Sequence, residues 1–167
     1  MSKKYSIVRR ILSQYSLLTT QYSLNMNFEN KAYYLKIDAT IKKIRTYFQK
    51  QFDDAGLDIT VDQWVVLDNA SRSEGISQIE LADLVYKDAP TVTRIIDLLV
   101  KKEMVTRRMS DTDRRRFNIC LTEKGKAVFQ QALPLAIEAR QTGWKGMNEK
   151  DFKEFYRVLD TIYENYQ

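Results

Sequence analysis

The chain has 167 residues, 44% of them hydrophobic, which is enough for one respectable core and the usual size of a single domain. It contains no histidine and one cysteine, Cys120, so an internal disulfide, a Ser-His or Cys-His nucleophile pair and most transition-metal sites are excluded. Glycine occurs only 5 times and in no phosphate-cradling or dinucleotide pattern, so neither an enzyme nor a cofactor is expected, and the formal charge of +5 must be read by region.

Residues 1–25 carry four basic and no acidic side chains. Their apolar positions Ile7, Ile11, Tyr15, Leu18 and Tyr22 recur at helical spacing, but polar residues interrupt them too often for a signal-peptide core or a membrane span. Two readings stay open: an accessory amphipathic helix against a partner subunit, or an extension ahead of a natural start at Met26. Asn30 to about Phe52 predicts a long helix, with Tyr34, Ile37, Ile41, Ile44 and Phe48 forming a seam suited to another helix. It ends near Gly56, a C-cap candidate. Thr60 and Gln63 predict a capping box stapled by Ile59 and Trp64, opening a helix through Val65, Leu67 and Ala70.

Ser77 to Leu121 is the most informative stretch. Ser77 and Glu80 have capping-box spacing, with Ile76 and Leu81 at the staple positions. A break at Tyr86-Lys87-Asp88 precedes a second helix opened by Asp88-Ala89-Pro90, where proline's missing N–H costs nothing. Val92, Ile95, Ile96 and Leu99 form its apolar stripe, and Pro90, Arg94, Asp97 and Lys101 take the opposite face. From Met104 the period changes to two: Val105, Arg107 and Met109 alternate with Thr106 and Arg108, and Phe117, Ile119 and Leu121 alternate with Asn118 and Cys120, which predicts a two-stranded ribbon. The stretch from Arg107 to Arg116, which includes its turn, holds five arginines against two aspartates, a density suited to phosphate contact and minor-groove insertion.

Ser77-Gln78-Ile79-Glu80-Leu81-Ala82, Thr91-Val92-Thr93-Arg94, and Asp111-Thr112-Asp113-Arg114-Arg115 through Leu121-Thr122-Glu123-Lys124-Gly125 resemble the MarR family of bacterial transcription regulators in sequence and in spacing. The resemblance runs more loosely from about Asn27 to the C-terminus. Tyr86-Lys87 departs from it, because the family often has a glycine-containing turn there.

Beyond the ribbon, Thr122 predicts the cap of a helix to about Gly143, interrupted by Pro134. Asn148 opens a last helix, with Met147 and Phe152 as staple and Phe152, Phe155, Leu159, Ile162 and Tyr166 as its stripe. The expected fold is therefore mainly α with a small β-hairpin wing: a winged helix-turn-helix lobe at 57–121 and dimerisation helices at 30–56 and 122–167, together forming one domain over 26–167.

The resemblance implies a cytoplasmic homodimer that reads a pseudo-palindromic operator in double-stranded DNA and acts as a repressor, with a small aromatic or lipophilic anionic effector as inducer. On this reading Thr91 and Arg94 meet base edges, beside Thr93, with Pro90 shaping the approach; Ser77 and Gln78 touch phosphate; and Arg107 and Arg108 are phosphate candidates that could equally be solvent-facing strand residues. Arg114 and Arg115 belong to the wing tip, where the family pattern has Asp113 orient Arg115 toward a narrow minor groove. Tyr33, Tyr34, Trp64 and Trp144 are candidates for an effector pocket, against the plainer reading that aromatics at helical spacing are core. Cys120, in a strand with apolar neighbours, reads as structural in place of a redox sensor. A protein- or RNA-binding winged helix without operator recognition is the rival from another class.

Overall fold

The computed structural model describes residues 33–72, 75–109 and 117–166. The expectations for residues 1–25, for the start of the first helix at Asn30 and for the wing-tip residues Asp113, Arg114 and Arg115 lie outside the described residues. Helix α1 spans Tyr33–Asp54 and crosses the boundary between two compact units, Met1–Lys42 and Lys43–Gln167. In the first unit the described part of α1 is solvent-facing, with Lys42 paired to Asp38 one turn earlier at 2.7 Å.

In the second unit, α1 ends where Gly56 takes a φ of +68° and the Leu57 amide bonds back to the Phe52 carbonyl, the turn in which glycine avoids a Cβ clash. Helix α2, Val61–Ser71, starts at the Thr60–Gln63 capping box. Ile59 and Trp64, its staple residues, are both buried. Next come β1 (Ile76–Ser77), α3 (Gln78–Leu84) and α4 (Ala89–Lys101). Ser77 caps α3 in the expected box with Glu80, and Asp88 caps α4 by accepting from the Thr91 amide.

Strands β2 (Val105–Met109) and β3 (Phe117–Leu121) pair antiparallel, Val105 opposite Leu121 and Met109 opposite Phe117. The sheet has three strands, not the two expected: β1 adds to the far edge of β3, with Ile76 opposite Ile119 and Ser77 opposite Asn118. A strand of two residues is too short to show period two, so its presence could not be read from alternation. Helices α5 (Glu123–Gly143, with Pro134 inside) and α6 (Glu149–Glu164) complete the described chain. Helix α6 opens on an Asn148–Asp151 capping box.

The core gathers Phe52, Trp64, Val66, Leu67, Leu81, Val92, Ile96, Leu99, Val105 and Ile119, joined by Ala132 and Ala136 of α5. A Cβ added to Gly125, in the first turn of α5, would stand 1.9 Å from the Met104 carbonyl oxygen, so only glycine lets α5 start this close to the strand. The Thr122 amide bonds to that same oxygen at 3.1 Å, and the Thr122 hydroxyl donates to the Glu103 carbonyl at 2.6 Å. The ribbon is thereby anchored at its base while its far end leaves the core: on one face Val105 and Ile119 are buried, but Met109 and Phe117 are exposed.

Candidate nucleic-acid interface

Helix α4 is amphipathic because its apolar residues recur every three to four positions, and burial follows that rule. Val92, Ile95, Ile96 and Leu99 are buried, while Pro90, Arg94, Asp97 and Lys101 are exposed. The N-terminal turn that would enter a groove is tightly organised. Asp88 Oδ1 accepts the Thr91 amide at 2.9 Å and Oδ2 accepts the Thr91 hydroxyl at 2.7 Å. These two bonds, hydroxyl first, hold the Asp88 carboxyl below its ordinary pKa of 3.8, and the nearby charge of Arg94 adds to the effect. With its proton committed to Asp88, the Thr91 hydroxyl offers a base edge acceptor lone pairs, complementary to the amino groups of adenine or cytosine. The Arg94 side chain, beside it, is exposed and supplies donors.

Two expected contact residues are joined to each other. Gln78 Nε2 donates to Thr93 Oγ1 at 2.6 Å, and that hydroxyl donates to the Ala89 carbonyl at 2.8 Å. The bridge ties the start of α3 to the first turn of α4, so Thr93 and half of the Gln78 amide hold the two helices together. Ser77 is 6% exposed, its hydroxyl accepting the Glu80 amide at 3.2 Å and its own amide donating to the Glu80 carboxylate at 3.1 Å. That is the geometry of a cap.

The strand arginines differ. Arg107 donates to Asp97 Oδ1 at 2.6 Å, bracing β2 against α4, whereas Arg108 is exposed with no ion pair among the described residues. Asp97 lies in another element from Arg107, and no local spacing rule connects them. The turn between α3 and α4 was the other element that sequence left open. Tyr86 adopts a φ of +51°, its amide bonding to the Asp83 carbonyl and that of Lys87 to the Ala82 carbonyl, both at 3.2 Å. These are the two bonds of a glycine-type helix terminus, here made by tyrosine.

Of the four aromatic residues considered for an effector pocket, Trp64 is 1% exposed and stacks on Phe129 at 5.4 Å, so it is core. Trp144 belongs to a different cluster, edge-on to Phe152 and Phe155 at 5.0 and 5.5 Å. Tyr33 and Tyr34 meet each other edge-on at 6.1 Å. Cys120 is half-buried in β3, opposite Thr106. No group of three or more metal-ligating side chains occurs among the described residues.

Comparison with known proteins decides the family. The profile of the MarR family matches residues 59–117, from the staple ahead of α2 to the start of β3. The HTH-type transcriptional regulator SarZ of Staphylococcus aureus is 30% identical over 106 residues, covering 64% of this chain and 68% of SarZ. The chain belongs to the MarR family of transcriptional regulators. Solved members share its fold. A MepR–DNA complex from S. aureus superposes with a TM-score of 0.74 at 21% identity, over 81% of this chain and 99% of MepR. Bordetella bronchiseptica BpsR, whose DNA binding is regulated by 6-hydroxynicotinic acid, gives 0.71 at 21% identity, over 83% and 96%. In this MarR-family chain, α3 and α4 are thus the helix-turn-helix and β2–β3 the wing.

Proposed function

We propose that this regulator binds a pseudo-palindromic operator as a homodimer in the cytoplasm and represses by occupying the promoter, with release by a small aromatic or lipophilic anionic effector. One observation carries the DNA-binding part: the exposed face of α4 presents Thr91 as acceptor and Arg94 as donor, while the opposite face of the same helix is sealed into the core. A guanidinium so placed can bond two acceptors of a guanine in the major groove. The wing then reaches the neighbouring minor groove, and two-fold symmetry sets half-sites about one helical turn apart. The exposed stripes of α1 and α6 support the dimer, and no helix among the described residues is long and apolar enough to cross a membrane.

The test is selection of genomic fragments by the purified protein, followed by footprinting and titration of variants. Arg94→Ala is expected to lose roughly 1–3 kcal/mol of operator affinity and to relax base preference at one position per half-site. Arg115→Ala should weaken binding most where the flanks are A·T-rich, and Asp113→Ala should copy part of that defect although it removes a negative charge. Tighter binding by Asp113→Ala would overturn the wing assignment. An Arg94→Ala protein with unchanged affinity and unchanged base preference would favour a protein- or RNA-binding winged helix instead.

A further inference from the structure

Tyr86 and Lys87, the two central residues of the turn 85–88 between α3 and α4, are each contacted by an element outside the helix-turn-helix. The Tyr86 ring stands edge-on to the ring of Tyr163, near the end of α6, with centroids 5.7 Å apart and planes at 82°. Lys87 Nζ lies 3.1 Å from Asp62 Oδ1 in the first turn of α2, and Asp62 Oδ2 accepts from Arg45 of α1 at 2.7 Å. The turn is gripped by an aromatic contact on one residue and a charge relay on the next.

The backbone of Tyr86 gives the ring contact its meaning. A φ of +51° suits glycine, and a bulky side chain there is a conformational outlier that its surroundings must over-determine. Among the described residues the ring of Tyr86, 76% exposed, meets that of Tyr163, on a helix with no buried residue. The turn sets the angle between α3 and α4, and hence where the exposed face of α4 points. Whatever moves α6 moves Tyr163.

We propose that Tyr163 is a positioning residue for DNA recognition: through the ring of Tyr86 it holds the helix-turn-helix turn, so the aim of α4 depends on the placement of α6. This rests on the DNA-binding reading above and adds the route by which the terminal helix reaches the reading head. The ion pairs of Asp62 link the adjacent residue, Lys87, to α2 and α1.

The experiment uses the full chain and the duplex recovered by genomic selection. Tyr163→Ala should lower affinity on the order of three- to tenfold, the range of an aromatic pair. It should remain dimeric in sedimentation and, without DNA, show faster amide exchange at Tyr86 and Lys87, whose N–H groups close the turn. Tyr163→Phe, which keeps the ring, should restore both readouts. In a Tyr86→Gly background, Tyr163→Ala should have no further effect, because the turn no longer carries a ring to hold. Unchanged exchange in Tyr163→Ala, a Tyr163→Phe protein as defective as the alanine variant, or an affinity loss that appears only with dissociation of the dimer would overturn the proposal. Failure of the wild-type chain to select any duplex would instead sink the DNA-binding reading, leaving the exchange measurement to judge the turn.

Discussion

Helices α4 and α6 are built on the same sequence principle, apolar residues every three to four positions, yet α4 buries Val92, Ile95, Ile96 and Leu99 while α6 buries nothing. Helix α4 finds its cover within the chain, against α2, α3 and β2. Phe152 and Phe155 of α6 meet Trp144 edge-on, Phe152 also stacks on Tyr156 of the same helix, and both phenylalanines stay about half exposed. Amphipathicity therefore says that a helix needs a surface and is silent on which molecule supplies it. In α4 the stripe stabilises the lobe, and the polar face is left free for a ligand. In α6 the stripe itself is the face that remains to be covered.

Substitutions along the two stripes should separate these roles. The largest effect is expected at Leu99, fully buried in α4: Leu99→Ala should destabilise the fold by about 2–5 kcal/mol, seen as a lower thermal midpoint at any protein concentration. Phe155→Ala in α6 should act differently, shifting the monomer–dimer equilibrium in sedimentation by an order of magnitude or more while the thermal midpoint of the dissociated chain stays nearly constant. Equal loss of midpoint in both variants would show that α6 is core after all and remove the contrast. The smallest effect concerns a charged tie. Burial alone would raise the Asp62 carboxyl, but the hydrogen bond from Arg45 and the neighbouring Lys87 outweigh it and hold the group below its ordinary 3.8. A depressed carboxylate contributes stability above its unfolded pKa and loses it as pH falls through the folded one. Asp62→Asn should therefore melt lower than the wild type at pH 7, and the gap should narrow as pH falls below about 4. A gap of unchanged size from pH 7 to pH 3 would assign the loss to packing.

Much of this molecule could be read from local chemistry. The capping boxes at Thr60 and Ser77, the helix start at Asn148, the proline-opened α4 and the alternation within each ribbon strand all depend on residues within a few positions of one another, so spacing alone determined them. The family motifs are of the same kind, which is why the resemblance and the exposed polar face of α4 are legible in the sequence. What spacing could not determine are the contacts made by residues far apart in the chain or by short segments without a period. The third strand is two residues long, the Arg107–Asp97 brace joins a strand to a helix, and the Gln78–Thr93 bond redirects two expected contact residues toward each other. Trp64 shows the same limit, since a tryptophan at a staple position can line a cavity or fill a core, and only the stacked Phe129, 65 positions later in the chain, decides for the core. Tyr86 is the clearest case: its sequence departs from a glycine-type turn, yet the turn forms, closed by the backbone bonds to Ala82 and Asp83, and the ring contact with Tyr163 comes from a helix far along the chain.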